Sequence, residues 1–436
     1  MKGASYPRRL TKRICHVGVG RFHRAHQAFY LHELIARGEA DGWGICGIAV
    51  RTADRPTLWS LQAQDHLYSV WEADGESVRA TIVGSIMETI DASERSDRAI
   101  ATLADLSTRI ISFTITEAGY VDQPHSAIEL VTRALAVRRD VGAGGVTLLS
   151  CDNLIENGNR LRATTLACAR RLDPSLERWI EESVRFPCSM VDRITPAGDA
   201  SKLATWCERE GIDDRAAVLC ELWRQWIIED DFVAGRPAFE NVGVVFSSEV
   251  KAYEDVKVGL LNGGHSAISH LGLLLGHERV DAAMADARIS GWLVAYMREV
   301  AELLHPPREL DLAEYQASLV RRFANPAIED RLARLAQDTS QKFQQTLVPP
   351  LVARIRQKRP APSIIEAIGL WIEFLCSDRI AGYEDVEKVR CIELARAGRA
   401  RELLVDVLRV PADCTPQIEE ALRRRPSHSR ARSSAM

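Results

Sequence analysis

The sequence predicts an α/β protein in which an N-terminal domain built on a parallel sheet precedes a mostly α-helical C-terminal domain. In the first half, short β-rich apolar runs alternate with segments long enough for crossover helices, an order typical of a parallel sheet covered on both faces. From about Glu254 onward the apolar residues follow the helical period. We therefore expect domains at 1–250 and 251–422, followed by a disordered basic tail at 423–436.

Composition agrees with a folded protein of two or three domains. The chain has 436 residues, of which 46% are hydrophobic and 27% charged, and this excludes intrinsic disorder. The formal charge is −4. The last fourteen residues hold five arginines and no acid, so the rest of the chain is more acidic still. This balance argues against a nucleic-acid partner, and a tail with almost nothing to bury is expected to be disordered.

Cysteine usage and hydropathy indicate a cytoplasmic protein. The ten cysteines are scattered and form no CxxC pair, as expected of reduced thiols. The basic N-terminus is not followed by an apolar segment, so we expect no signal peptide. No run of eighteen apolar residues occurs, and we expect no membrane contact.

The individual elements are predicted from local pattern, in chain order. The first half contains one clear amphipathic helix, at 27–37. Strands are expected at 14–19, 43–50, 109–116, 146–151 and 242–247. In the second half, helices are expected within 256–276, 291–304, 313–324, 328–337 and 363–375.

The most informative local motif is a GxG turn formed by Gly18 and Gly20. It follows a predicted strand and precedes a helix, which is the context of a dinucleotide-binding, Rossmann-type turn. His23 occupies the place of the third glycine. A GxG pair alone is weak evidence, since ordinary strand–helix turns also contain glycine, but its position after the first strand favours the nucleotide reading.

An acid that could bind the adenosine ribose follows the second predicted strand. This acid is Asp54, which lies between Arg51 and Arg55. A carboxylate here favours NAD, whereas the two arginines could neutralise the 2′-phosphate of NADP. The alternative is that Asp54 is a solvated loop acid.

Lys257 begins a segment that also carries Asn262 and His265. At 100° per residue, one broad helical face can hold all three. Burying a lysine, an amide and an imidazole on an apolar helix is costly unless they have a function; the alternative is a helix start with Lys257 in solvent. The spacing of Tyr253 and Lys257 matches the YxxxK of short-chain dehydrogenases, but their nucleotide turn has another glycine spacing, so Tyr253 is interpreted as structural.

Two further features concern a substrate oxygen and metals. Asn153 follows a predicted strand, where ligands bind in open α/β sheets, although an Asp-Asn pair is also typical of a turn.

The histidine pairs at 23 and 26 and at 265 and 270 lack a third ligand at suitable spacing. We therefore predict no metal site.

Taken together, these segments resemble the mannitol 2-dehydrogenase family of polyol-specific long-chain dehydrogenases. The similar segments run in order from residue 14 to about 345. They are HVGVGRFHRAHQAFY (16–30), ICGIAVRTADR (45–55), SFTITEAGY (112–120), LLSCDNLIENG (148–158), FPCSMVDRITP (186–196), ELWRQWIIED (221–230), FENVGVVF (239–246), YEDVKVGLLNGGHSAISHLG (253–272) and LARLAQDTSQKF (332–343).

The resemblance implies a metal-independent, NAD-linked oxidation of a secondary alcohol. It implies that Lys257 is the general base, that Asn153 and Asn262 form the oxyanion hole, and that His265 binds a substrate hydroxyl. The further substrate contacts that it implies are Asp192, Arg334 and Lys342. The implied nucleotide contacts are Gly18, Gly20, Phe22, Arg24, Asp54 and Glu117.

The resulting hypothesis is an NAD-dependent polyol 2-dehydrogenase acting on mannitol and fructose, or on arabinitol, as a monomer or small homo-oligomer. NADP is not excluded. A fructuronate reductase (mannonate oxidoreductase) is the alternative, because Arg334 and Lys342 could bind a substrate carboxylate and the SQK at 340–342 favours this slightly. A non-catalytic nucleotide-binding relative and a nucleic-acid binder acting through the tail are the remaining alternatives.

Overall fold

A computed structural model of the chain describes residues 6–8, 10–196 and 200–425. The chain divides into two compact units between Lys251 and Ala252, one residue after the boundary expected from the sequence. The strands, all in the first unit, are β1 (Lys12–Val17), β2 (Trp43–Ala49), β3 (Tyr68–Asp74), β4 (Ser77–Val83), β5 (Ile86–Asp91), β6 (Thr108–Phe113), β7 (Val146–Ser150), β8 (Val184–Arg185), β9 (Ser189–Asp192), β10 (Val218–Glu221), β11 (Gln225–Ile228) and β12 (Val245–Phe246).

The first unit contains a six-stranded, wholly parallel sheet of order β5-β2-β1-β6-β7-β8. This is the strand order of the Rossmann fold, as predicted. Its strands are buried on both faces: neighbours Ile14 and Cys15 in β1 belong to two different apolar cores, because successive strand residues point to opposite faces. The helices of this unit are α1 (Arg21–Ala25), α2 (Gln27–Ala36), α3 (Arg55–Ala63), α4 (Ser96–Ala104), α5 (Ala127–Asp140), α6 (Asn157–Leu172), α7 (Pro174–Ser183) and α8 (Ala200–Arg209).

Two small sheets accompany the parallel sheet, and the sequence did not predict them. One has the order β10-β3-β4 and the other β12-β11-β9. The strand expected at 242–247 is reduced to the two residues of β12, which pairs with β11 outside the main sheet. It follows a short 3₁₀ turn at Phe239–Val242, so the apolar run there belongs to a turn and a short strand.

The second unit is helical in its described residues, as predicted. Helix α9 (Val250–Val256) spans the boundary and continues through a π-helical turn, Lys257–Asn262, into α10 (Gly263–Leu275). The remaining helices are α11 (Val280–Met284), α12 (Ala287–Ala301), α13 (Leu312–Phe323), α14 (Leu332–Leu335), α15 (Thr339–Thr346), α16 (Val348–Arg356), α17 (Pro362–Cys376), α18 (Lys388–Arg396), α19 (Ala400–Glu402) and α20 (Thr415–Arg424). Helices α12, α14, α15 and α17 all pack against α10.

The C-terminal helix extends into the segment expected to be a disordered tail. Helix α20 includes the first two tail residues, and the next, Arg425, forms ion pairs with Glu366 at 2.7 Å and Glu373 at 3.2 Å. The expectation is therefore wrong for 423–425, because the first two residues continue α20 and Arg425 pairs with α17. The rest of the expected tail, 426–436, lies outside the described residues.

Two findings bear on the remaining expectations. All ten cysteines are free, and nine of them are buried. Among the described residues, no helix combines the length and the apolar character needed to cross a membrane.

Several histidines are buried and make stability depend on pH. Burial lowers the pKa of His270 to about 3, whereas a histidine in an unfolded chain titrates near 6.5. As the pH falls below about 6.5, the unfolded state binds a proton that the folded state does not, so the free energy of unfolding falls.

We therefore expect the urea-unfolding midpoint of the protein to decrease between pH 7 and pH 4. In a His270→Asn variant, the slope of unfolding free energy against pH should be smaller by up to about 1.4 kcal/mol per pH unit. The matched control is His305→Asn at an exposed position, which should leave the slope unchanged. Equal slopes in all three proteins would contradict the assignment.

Candidate active site

The nucleotide side of the candidate site lies at the carboxyl-terminal edge of the parallel sheet. Strand β1 lies between β2 and β6, so the chain order of the strands reverses there. Ligands of open α/β sheets bind at such a switch point. The segments that follow β1, β2, β6 and β7 carry most of the residues expected to bind a dinucleotide or a substrate oxygen.

Gly18, directly after β1, is required by close packing of backbone against backbone. It has a φ of +100°, and a Cβ built on it would lie 2.1 Å from the Thr114 carbonyl oxygen. The Thr114 hydroxyl donates to the Gly18 carbonyl at 2.6 Å. Because both the positive φ and the contact exclude a side chain, glycine is needed here to join the ends of β1 and β6.

Gly20 is different, and it provides the test of fit for a dinucleotide. It caps α1 with a φ of −78°, and a Cβ built on it would have no atom of the described residues within 4 Å. Packing inside the protein therefore does not require glycine. Close approach of a pyrophosphate to the backbone would require it, so this position fits a bound dinucleotide. Phe22 is half-buried and stacks on His26.

The residue in the third-glycine position is part of a buried histidine stack. The rings of His23 and His16 lie 3.4 Å apart at 11°, and His23 is 1% exposed. Arg24 is also buried, and its guanidinium donates to the Ala216 carbonyl. Its side chain also donates to the Gly20 carbonyl at 3.3 Å and so supports the turn, while its role as a cofactor contact stays a prediction.

Asp54 follows β2 and is paired with an arginine. The Arg51 Nε and Nη2 donate to the Asp54 carboxylate at 3.1 and 2.7 Å, and this bond raises the pKa of Arg51. Arg55 is engaged elsewhere, with Asp91 at 2.8 Å and Glu94 at 2.9 Å. Of the two arginines considered for a 2′-phosphate, Arg51 is the exposed one beside the acid.

Asn153 is exposed in the loop after β7, next to the buried Asp152. The Asp152 carboxylate accepts hydrogen bonds from the backbone amides of Ile115 and Thr116 in the loop after β6. Glu117, also in that loop, is exposed and pairs with Arg160 at 2.7 Å. Residues expected to act on cofactor and substrate thus occur on neighbouring, connected loops.

Asp192 ends β9 and is 4% exposed. The Trp223 indole donates to its carboxylate at 3.2 Å. The next residue, Arg193, forms a buried ion pair with Glu72 and donates to the Ala25 carbonyl at 2.6 Å. The ion pair and the hydrogen bond offset the cost of removing the Arg193 charge from water. They also fix the backbone beside Asp192.

Lys257 lies on the π-helical turn of the second unit and is 6% exposed. In π-helical hydrogen bonding, residue i pairs with residue i+5, and such turns occur frequently at functional sites. Asn262 is the fifth residue after Lys257 and therefore returns to its side of the helix. His265, three residues further on, shares that side and stacks on Phe323 at 4.0 Å.

Glycines and a tyrosine explain why the helix adopts a π turn here. The Tyr296 hydroxyl donates to the Gly259 carbonyl at 3.0 Å inside the turn. A Cβ on Gly263 would lie 2.0 Å from that same hydroxyl oxygen. Glycine at 263 therefore admits Tyr296, which satisfies a backbone carbonyl of the irregular turn.

Arg334 and Lys342 lie on two further helices that pack against α10. Arg334 pairs with the buried Asp330 at 2.6 Å. The Lys342 ammonium donates to the Leu335 carbonyl at 3.0 Å, and burial, followed by the nearby Arg334 charge, lowers its pKa. Asp385 fixes the start of the Lys342 helix by accepting from the Ser340 amide at 2.8 Å.

Each unit thus holds its own part of the predicted set. The first unit gathers the nucleotide residues, Asn153 and Asp192 near the ends of strands, and the second gathers Lys257, Asn262 and His265 on one turn. Within the described residues, no group of three or more His, Cys, Asp or Glu side chains is arranged to hold a metal ion.

Sequence reasoning missed the polar residues that support this set. Asp152, Tyr296 and Asp385 each organise a backbone segment that carries a predicted site residue. Glu254, one turn before Lys257, is a buried acid at 6% exposure. A buried acid in a polar loop does not follow the apolar periodicity from which helices and strands are predicted. For Asp152, the single signal in the sequence was its position directly before Asn153.

Comparison with family models matches nearly the whole chain. Residues 12–241 match the mannitol dehydrogenase Rossmann domain. Residues 249–399 match the mannitol dehydrogenase C-terminal domain.

Individual proteins agree with this match. The chain is 38% identical to D-mannonate oxidoreductase of Escherichia coli, over 84% of this chain and 80% of the relative. It is also 38% identical to mannitol 2-dehydrogenase of Cereibacter sphaeroides, over 85% and 82%. The structure of Pseudomonas fluorescens mannitol 2-dehydrogenase in a ternary complex with NAD and D-mannitol matches with a TM-score of 0.86 and 34% identity, covering 95% of this chain and 91% of that one. The chain therefore belongs to the mannitol dehydrogenase family of oxidoreductases.

Proposed function

We propose that the protein is an NAD-dependent dehydrogenase that interconverts a linear polyol of the mannitol or arabinitol type and its ketose. The observation that carries this proposal is the burial of Lys257 on a π turn that also brings Asn262 and His265 to one side. A buried lysine can act as a base near neutral pH, because desolvation favours its neutral form. The proposed location is the cytoplasm, in keeping with the free cysteines.

In this proposal the residues divide the reaction between them. Gly18, Gly20 and Asp54 would hold NAD, which when bound would supply the hydride acceptor for the carbinol carbon. Lys257 Nζ takes the hydroxyl proton of that carbon, and the amides of Asn153 and Asn262 donate to the alkoxide that develops on its oxygen. His265 and Asp192 bind further hydroxyls and hold the sugar chain in place. In this proposal no metal takes part in these steps.

The nucleotide set supports NAD as the cofactor. The open position at Gly20 fits the pyrophosphate, and Asp54 is suited to accept hydrogen bonds from a ribose. The Arg51–Asp54 ion pair also provides a cation for NADP if the pair opens. Preference for NAD therefore depends on the Asp54 carboxylate.

One observation favours a second candidate, oxidation of a sugar acid such as mannonate. No carboxylate among the described residues forms an ion pair with Lys342, whose Nζ donates to the Leu335 carbonyl. Burial, followed by the Arg334 charge, lowers the pKa of Lys342 against the opposing effect of nearby aspartates, and a substrate carboxylate would stabilise its charged form. The Escherichia coli relative named D-mannonate oxidoreductase fits this alternative.

Replacing the proposed base should abolish turnover and spare cofactor binding. For Lys257→Ala we expect kcat to fall by about 10³-fold, within the range of general-base catalysis, with NADH affinity within twofold of wild type. Turnover is followed by reduced-nicotinamide absorbance. Lys251→Ala, an exposed position earlier in the same helix, is the matched control and should retain full activity. Wild-type rates in Lys257→Ala would exclude Lys257 as the base.

Comparing mannitol, arabinitol and mannonate identifies the substrate class. If the substrate is a polyol, mannitol or arabinitol gives the highest kcat/KM, and Lys342→Gln lowers it by less than about tenfold, the range of a neutral hydrogen bond. If it is a sugar acid, mannonate is preferred and Lys342→Gln raises its KM by about 10- to 100-fold, because a charge-assisted bond is lost. Strong preference for mannonate would overturn the polyol proposal.

Cofactor choice should respond to Asp54. In Asp54→Ala we expect KM for NAD to rise about tenfold and KM for NADP to fall, because the carboxylate no longer binds the ribose or neutralises Arg51. Both constants come from initial rates at saturating substrate. Asp65→Ala, an exposed acid near the end of the following helix, is the control. Unchanged KM values for both cofactors would contradict the role of Asp54.

A further inference from the structure

The Asp152 carboxylate connects the loops that follow two adjacent strands of the parallel sheet. Its Oδ2 accepts from the Ile115 amide at 2.9 Å and from the Tyr120 hydroxyl at 2.7 Å, and its Oδ1 accepts from the Thr116 amide at 2.9 Å. Asp152 is 8% exposed. A carboxylate is suited to this place, because it only accepts hydrogen bonds and all three partners donate.

On the β6 side, the bonds hold a backbone in an unfavourable conformation. Thr116 has a φ of +60° and a ψ of 169°, a region occupied almost exclusively by glycine and costing about 1–3 kcal/mol for another residue. The amide of this same residue donates to Asp152. The strained segment leads into Glu117, in the loop after β6 at the carboxyl-terminal edge of the sheet. We call this loop the nucleotide-side loop, and the Asp152 carboxylate holds it in its shape.

On the β7 side, the backbone around Asp152 is fixed independently. The Asn157 amide group donates to the carbonyl oxygens of Asp152 at 3.1 Å and Ser189 at 2.8 Å. The Ser189 amide donates back to the Asn157 side-chain oxygen at 2.9 Å. These bonds fix the backbone of Asp152. Because Asn153 is the next residue, they also fix the position from which its side chain extends.

We propose that Asp152 is a positioning residue that makes the nucleotide-side loop after β6 and the Asn153 loop after β7 one rigid body. In this role it acts through the bonds it accepts from the loop after β6 and through the backbone that carries Asn153. It sets the distance between the Asn153 amide and the loop beside the bound nucleotide. This inference rests on the proposed function, in which Asn153 donates to the developing alkoxide, and positioning of such a donor affects kcat more than KM.

The test compares Asp152→Asn, Asn153→Ala and the double variant. Asparagine keeps the shape but replaces one acceptor oxygen by an NH₂ donor, so at least one loop bond is lost. We expect Asp152→Asn to lower kcat at least 30-fold with substrate KM within threefold, and to weaken NADH binding about tenfold by fluorescence titration. Asn153→Ala should lower kcat but leave NADH affinity within twofold.

The double variant separates positioning from a general structural role. If Asp152 acts through Asn153, Asp152→Asn in the Asn153→Ala background lowers kcat by less than threefold further, because coupled residues are not additive. Asp173→Asn is the matched control: this aspartate also accepts several bonds, from Ser175 and Arg139, at the other end of α6. It should lower the melting temperature without changing kcat or NADH affinity.

Each outcome decides the inference. Multiplicative losses in the double variant, or unchanged NADH affinity in Asp152→Asn, overturn it. If Asp152→Asn does not fold, Tyr120→Phe, which removes one of the three donors, takes its place with the same expectations at smaller size. If the wild type oxidises no sugar, the proposed function fails by itself, and the NADH titrations still decide whether Asp152 holds the nucleotide-side loop.

Discussion

The nucleotide edge of the protein depends on the contact between Gly18 and Thr114. A side chain at Gly18 would lie 2.1 Å from the Thr114 carbonyl oxygen, and the Thr114 hydroxyl closes the contact from the other direction. The buried imidazole of His16 adds bonds to the Gly18 carbonyl and the Thr114 hydroxyl. This contact sets the close spacing of the turn after β1 and the loop after β6, and the Asp152 carboxylate then holds Thr116 within that loop.

In the second unit, the predicted site residues also lie on an irregular segment of the backbone, the π turn at Lys257–Asn262. The π turn places Lys257 and Asn262 on one side of a helix, and Tyr296 supplies the hydrogen bond that a carbonyl within the turn accepts. In each unit, the predicted site residues therefore lie where regular structure is interrupted and a buried polar group satisfies the backbone. Such interruptions are costly on their own, which is why a rigid sheet and a packed helix surround them.

Regular elements were predictable from sequence, whereas irregular ones were not. The strands β1, β2, β6 and β7 read as apolar runs because both faces of the sheet are covered. The segment 328–337 has a helical pattern, yet only Leu332–Leu335 is α-helical, because tertiary contacts override the local period. The family resemblance predicts roles for Lys257, Asn153 and Asp192, and these roles stay predictions; in the structure Lys257 and Asp192 are buried and Asn153 is exposed. The π turn and the bonds of Asp152 depend on distant partners, and no local pattern encodes them.

The π turn limits how the length of this segment of the chain can change. Each residue of an α-helix advances the rotational phase by about 100°, and the extra residue of a π turn shifts everything after it relative to everything before. Removing one residue between 257 and 262 would restore continuous α-helical bonding. It would also rotate His265 and the rest of α10 relative to Lys257, together with the faces of α10 against which α12, α14, α15 and α17 pack. The length of this segment therefore fixes the packing of α10 as well as the side of the helix that its polar residues share.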